Sequence, residues 1–135
     1  MVIFMRIAWK RFKKPVFLLL LVGVLVAFWY AFTPKLFHTL ISPRKVYRVE
    51  YYEASPIQSL VHFSFKMPAF VRLYRNQRET LLGESDVVEL WMNGSLNWWF
   101  DDPVNSVVIG NDIVFENIAP ECRECPRLPD AVLMP

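Results

Sequence analysis

The sequence predicts a mainly β protein, a small antiparallel sheet or sandwich tethered by one N-terminal transmembrane helix. Three observations carry that expectation: an uncharged apolar run from Pro15 to Phe32, two-residue alternation beyond residue 45, and an uneven division of charge. With 135 residues, 54% of them apolar, the chain has room for one anchor and one small domain. Residues 1–45 hold eight Lys or Arg and no acid, whereas residues 46–135 hold seven basic and thirteen acidic residues. That second part carries a net charge of −6, which argues against nucleic acid as a partner, because phosphate binding needs clustered cations.

The run PVFLLLLVGVLVAFWYAF, residues 15–32, contains eighteen residues without a charge. At the helical rise it spans roughly 27 Å, just enough to cross the hydrocarbon of a bilayer. Residues 1–14 precede it with Arg6, Lys10, Arg11, Lys13 and Lys14, so the positive-inside rule places this end in the cytoplasm. The remainder is then expected in the periplasm of a bacterial inner-membrane protein. Lys35, Arg44, Lys45 and Arg48 on the other side reduce the asymmetry to five against four. Phe28, Trp29, Tyr30 and Phe32 suit the exit interface. They also occupy the places where a cleaved signal peptide needs small residues, which favours a retained anchor.

Thr33-Pro34 should end the helix, since proline disfavours helical geometry in the residue before it. Residues 33–45 then read as a basic juxtamembrane linker, with His38 a solvated side chain in it. The β domain is expected over residues 46–118. Tyr47, Val49 and Tyr51 alternate with Arg48, Glu50 and Tyr52, and Val61, Phe63 and Phe65 alternate with His62, Ser64 and Lys66, as half-buried strands do. Breaks at Ser55-Pro56 and Met67-Pro68 precede further extended pieces near Phe70 to Arg75 and Leu81-Leu82.

Asn93-Gly94 marks a hairpin turn inside ELWMNGSLNWWF. A three-residue loop, Met92-Asn93-Gly94, sets Leu90 opposite Leu96 and Val88 opposite Trp98, with Glu89 opposite Asn97 on the other face. Ser106 to Ile109 and Asp112 to Phe115 form a last pair around Gly110-Asn111. No helix is expected outside the membrane. The tail, residues 119–135, carries four prolines and both cysteines, and is expected to lie over the sheet or hang from it without regular structure.

Candidate chemistry is sparse. Cys122 and Cys125 have the spacing of a redox pair or half a zinc site, but prolines surround them and no second pair of ligands follows. In an oxidising compartment a short structural disulfide is the favoured reading. Asp101-Asp102, with Glu84, Asp86, Asp112 and Glu116, resembles neither a calcium loop nor a catalytic pair, and acids solvate well beside turns. No catalytic residue, metal or cofactor is assigned. In the favoured hairpin register Trp91 and Trp99 share the outer face with Glu89, and together with Asp101 and Asp102 they make the candidate surface for a partner.

The segments Tyr51-Tyr52-Glu53-Ala54-Ser55-Pro56, Val71-Arg72-Leu73-Tyr74-Arg75, Leu82-Gly83-Glu84-Ser85, Trp98-Trp99-Phe100-Asp101-Asp102 and Pro120-Glu121-Cys122 add a resemblance. Over most of residues 46–127 the chain resembles a family of small single-pass envelope proteins of enteric bacteria, classed as a domain of unknown function. Genes of that family often lie near type VI secretion clusters. The resemblance implies an inner-membrane protein with a periplasmic domain. The expected function is capture of another protein, in the sharper form an immunity protein against an envelope-targeting toxin, with a structural or assembly subunit of an envelope complex as the alternative. An enzyme acting on wall or lipid lacks a nucleophile paired with a base.

The apolar run makes a direct prediction. The full-length chain stays in the membrane fraction through an alkaline wash and needs detergent for extraction; recovery as a freely dissolved monomer would reject the anchor.

Overall fold

In the computed structural model, which describes residues 2–100 and 105–135, the chain forms two compact units that meet in sequence at Thr33-Pro34. The first unit is one helix, α1 (Val2–Phe32), which contains Pro15. Its Lys13–Phe32 stretch is long and apolar enough to cross a membrane, and none of that stretch is buried within the chain. A helix apolar on every side has no amphipathic face to pack against a soluble body. Phe28 and Phe32 pack one turn apart, with ring centroids 4.5 Å apart. The last turn closes where Thr33 Oγ1 donates to the Trp29 carbonyl at 2.6 Å.

The second unit is built from two antiparallel sheets. The larger contains β1 (Lys35–Ile41), β2 (Tyr47–Glu53), β3 (Pro68–Arg75), β4 (Thr80–Glu84) and β5 (Val88–Glu89), in the order β1-β2-β3-β4 with β5 also on β3. The smaller contains β6 (Leu96–Trp99), β7 (Ser106–Ile109) and β8 (Ile113–Phe115), in that order. Alternation decides which side chains meet between the sheets. Tyr47, Val49 and Tyr51 of β2 and Ala69, Val71 and Leu73 of β3 join Leu96, Trp98, Val107, Ile109 and Ile113 in one apolar cluster. β4 and β5 act as one interrupted strand: Ser85 N donates to the Val71 carbonyl and Val71 N to Ser85 Oγ, both at 2.9 Å, so a side chain completes the ladder.

Several expectations change. The segment 33–45, read as a linker, contains β1, paired with β2 from Lys35↔Glu53 to Ile41↔Arg48. A bulge between Leu36 and His38 breaks its two-residue period, which hides the strand in the sequence. Residues 61–65 are not a strand. Ser55 caps α2 (Pro56–Val61) with a reciprocal capping box to Gln58 and proline at the first helical position, signals that outweigh the alternation of Val61, Phe63 and Phe65.

The hairpin over residues 88–98 is also absent. β5 pairs with Pro68-Ala69 of β3, and β6 pairs with β7, so the Asn93-Gly94 turn carries the chain from one sheet to the other. Leu90, Leu96 and Trp98 do face the core, as the alternation required, but across the seam and not across a ladder. Met92, not Gly94, takes the left-handed backbone, at φ 58°. The β7–β8 turn at Gly110-Asn111 stands where expected.

The tail is only partly irregular. It ends in a short helix, α3 (Asp130–Leu133), whose Leu133 enters the core. Arg44 ties the tail to the β1–β2 turn, its backbone N–H donating to the Glu121 carboxylate at 3.3 Å and its guanidinium to the Pro126 carbonyl at 2.8 Å. The Tyr47 hydroxyl donates to the Ala119 carbonyl.

The two sheets are locked where the 90–95 loop meets the β7–β8 turn. Gly110 N–H donates to the Ser95 carbonyl at 2.8 Å, Asn111 N–H to Asn93 Oδ1 at 3.1 Å, and Asn93 Nδ2 to Asp112 at 2.9 Å. Gly110 sits at φ +57°, and a Cβ there would come 2.1 Å from the Asn93 carbonyl oxygen. Gly110→Ala should therefore cost at least about 1–3 kcal/mol, read as a lower midpoint for chemical denaturation of the full-length chain in detergent; an unchanged midpoint would reject this lock.

Candidate contact surface

The residues singled out by sequence occupy two separate places. Trp99 lies on the outward face of the smaller sheet. Its strand alternates strictly, with Leu96 and Trp98 buried and Trp99 46% exposed. The register sets Trp99 against Ser106, Asn97 against Val108, and Val108 against Val114, so all five share that face. Val114 is half exposed, and the face carries Val108 on its middle strand with Asn97 and Ser106 as its polar groups. Asp101 and Asp102, which follow this strand, lie outside the described residues.

Trp91 and Glu89 belong instead to one rim of the larger sheet, so the expected shared face with Trp99 does not form. The rim is the end marked by Lys35, Glu53, Pro68 and Glu89 in the strand registers. Trp91 is 54% exposed, with the Lys66 ammonium 5.8 Å from its ring centre. Glu89 does not face a partner. Its carboxylate accepts from the backbone N–H groups of Lys66, Met67 and Trp91, the last two at 2.9 Å, and so joins the loop before β3 to the loop after β5. Desolvation raises the Glu89 pKa, but those three hydrogen bonds and the Lys66 charge together outweigh it, and the net shift is downward.

Beside Trp91 the same rim holds an apolar projection. α2 has no buried residue, and Leu60, Val61 and Phe63 are exposed. A groove of about 510 Å³ between β1 and the α2–β3 loop is lined by Phe37, Phe63, Phe65, Met67 and Lys66. His62 stacks on Phe65 at 5.2 Å between ring centres, and His38 lies 5.6 Å from the Tyr51 ring.

The outward face of the larger sheet carries a cluster that the sequence reading did not single out. Tyr52 stacks on Phe70 at 5.3 Å, and the Arg72 guanidinium lies over both rings, at 4.7 and 5.2 Å. Arg72 pairs with Glu84 at 2.5 Å, Arg48 with Glu50 at 2.7 Å, and the Tyr52 hydroxyl donates to Glu50 at 2.6 Å. Desolvation, reinforced by the Glu50 acceptor, pushes the Tyr52 hydroxyl up to about 12. Each charge in this cluster is matched within it, which suits a structural face. Cross-strand positions in two adjacent strands could have revealed it, but only once their register was known.

Cys122 and Cys125 are joined to each other, with Cα atoms 5.6 Å apart. They border a cleft of about 450 Å³ with Arg44, Phe100, Glu121 and Leu133. Among the described residues no three His, Cys, Asp or Glu side chains converge as a metal site would require.

Comparison with known proteins finds no matching family model, no similar curated protein and no similar solved structure.

The lowered pKa of Glu89 gives a pH dependence. A carboxylate held below its ordinary value of 4.5 contributes stability above that value and loses it as the pH falls toward the folded-state pKa. Denaturation midpoints of the full-length chain should therefore fall as the pH drops below 4.5, and Glu89→Gln should flatten part of that fall while lowering the midpoint at neutral pH. An identical pH profile in the variant would show that the two loops do not depend on this carboxylate.

Proposed function

We propose that the chain is a membrane-anchored binding protein, held in a bacterial inner membrane by α1 with its β unit in the periplasm, where it captures another protein. The observation that carries this reading is the Trp99–Val108–Val114 face: an exposed large aromatic side chain set on a strand surface with aliphatic neighbours. Aromatic anchors of this kind dominate protein–protein binding energy, since they bury much area at little cost in rotamer entropy. The net charge of −6 over residues 46–135 supports a basic partner brought in by charge steering. Anchoring raises the local concentration of the binder in the compartment where its target acts.

The sharper form of this proposal is an immunity protein that neutralises a toxin delivered into the envelope. It is supported by the resemblance to a family whose genes lie near type VI secretion clusters, and by a surface suited to occlusion more than to chemistry. A structural subunit of an envelope complex is the alternative; it requires α1 itself to meet other helices, and crosslinking within the membrane distinguishes the two.

Cells lacking this gene should survive poorly beside neighbours that deliver the linked toxin, and the restored wild-type chain should rescue them. Trp99→Ala should weaken toxin binding by roughly 30-fold, the loss typical of a central aromatic anchor, with unchanged membrane abundance. Unchanged survival of the deletion strain would reject the immunity role, and unchanged affinity in the variant would reject the Trp99 face.

A further inference from the structure

The rim around α2 exposes more apolar surface than the packing of the β unit explains. Phe63 is 86% exposed, Leu60 73% and Val61 71%, and α2 buries no residue against the sheets. Phe63 lines the groove described above with Phe37 and Lys66, and the Lys66 ammonium in turn lies over the Trp91 ring. A patch of this kind on a water-soluble surface carries a cost in solubility, so something covers it.

The covalent chain says what. The β unit is entered through Lys35, the first residue of β1, which pairs with Glu53, and α2 begins three residues after Glu53. From Phe32, the last residue of α1, to Lys35 is three peptide steps, which reach at most roughly 11 Å when fully extended. This tether holds for every orientation of the β unit, and Pro34 stiffens it. The rim that carries Phe63 therefore adjoins the residue through which the chain enters the β unit, since Phe63, Phe37 and Glu53 line one groove and Glu53 pairs with Lys35.

The chemistry of the rim agrees. The exposed aliphatic and phenyl groups of Leu60, Val61 and Phe63 are joined, through the groove that Phe63 shares with Lys66, by a tryptophan with a lysine over its ring, the combination that settles where acyl chains give way to headgroups. The acids there are engaged: Glu89 is bound to three backbone N–H groups, and Glu53 stands opposite Lys35 in the register.

We infer that this rim rests in the interface of the bilayer, with Leu60, Val61 and Phe63 among the upper acyl chains and Trp91 and Lys66 at the headgroups. The β unit thereby gains a second contact with the bilayer, through residues other than those of the Trp99 face. The inference rests on the reading of α1 as a membrane span.

The test uses the full-length chain in vesicles of phosphatidylcholine and phosphatidylglycerol. Because the two native cysteines are bonded to each other, a single introduced thiol can be labelled with an environment-sensitive dye. Phe63→Cys and Leu60→Cys report the rim, Gln77→Cys an exposed site by the far end of β3, and Leu25→Cys the middle of α1. Lipids bearing a shallow nitroxide should quench the dye at positions 63 and 60 at least roughly threefold more than at 77, as for groups seated at the headgroup boundary. Equal quenching at 63, 60 and 77, with the dye at 25 quenched by a deep nitroxide, overturns the docked rim alone. A dye at 25 that no lipid quencher reaches overturns the anchor and the rim together. Shielding of positions 63 and 60 that appears in detergent and rises with protein concentration, without lipid quenching, assigns the surface to a second copy and overturns the lipid contact.

Discussion

The β unit depends on one apolar seam, where Tyr47, Val49, Val71 and Leu73 of the larger sheet meet Leu96, Trp98, Val107 and Ile109 of the smaller. A three-stranded sheet with strands of three and four residues is marginal by itself, and it persists because its inner face is covered. The buried Trp98 links the halves of the seam to the tail side, stacking on Phe100, which in turn stacks on Tyr47. Leu133 of the terminal helix completes the same cluster. Each peripheral feature, including the disulfide, the Glu89 clasp and the Gly110 lock, acts on a loop that feeds this seam.

That dependence explains how function is distributed. Residues whose side chains point into the seam are closed to solvent, and strict alternation in β6 gives one tryptophan to the core and one to the surface. Many residues of the segments 51–56, 71–75, 82–85 and 98–100 serve the fold. Tyr51, Val71, Leu73 and Trp98 are core, Tyr52, Arg72 and Glu84 belong to the charge-matched outer cluster, and Ser55 and Ser85 satisfy backbone groups.

Much of the fold was legible in local pattern. The uncharged span, the helix end before Pro34, β2, β3, β4 and the β7–β8 pair each follow from a period or a turn signal contained in a few residues. The errors share a cause. At 61–65 a real alternation was trusted over the capping box at Ser55-Pro56-Ile57-Gln58, which was equally visible. At 35–41 a bulge erased the period. At 88–98 the inward and outward faces were correct, but a turn signal was taken to imply that the strands flanking it pair with each other.

By itself the sequence determined what depends on short-range chemistry: an apolar helix long enough for a membrane, the inward faces of β2 and β6, and a thiol spacing that suits a local disulfide. Only the tertiary structure decided which strand pairs with which, and hence that Trp91 and Trp99 serve separate surfaces, that Glu89 clasps two loops, and that an apolar projection stands beside the point where the chain enters the β unit. The physical reason is that alternation specifies a face, whereas pairing is chosen by whichever distant strand best completes the backbone hydrogen bonds while the same face stays buried.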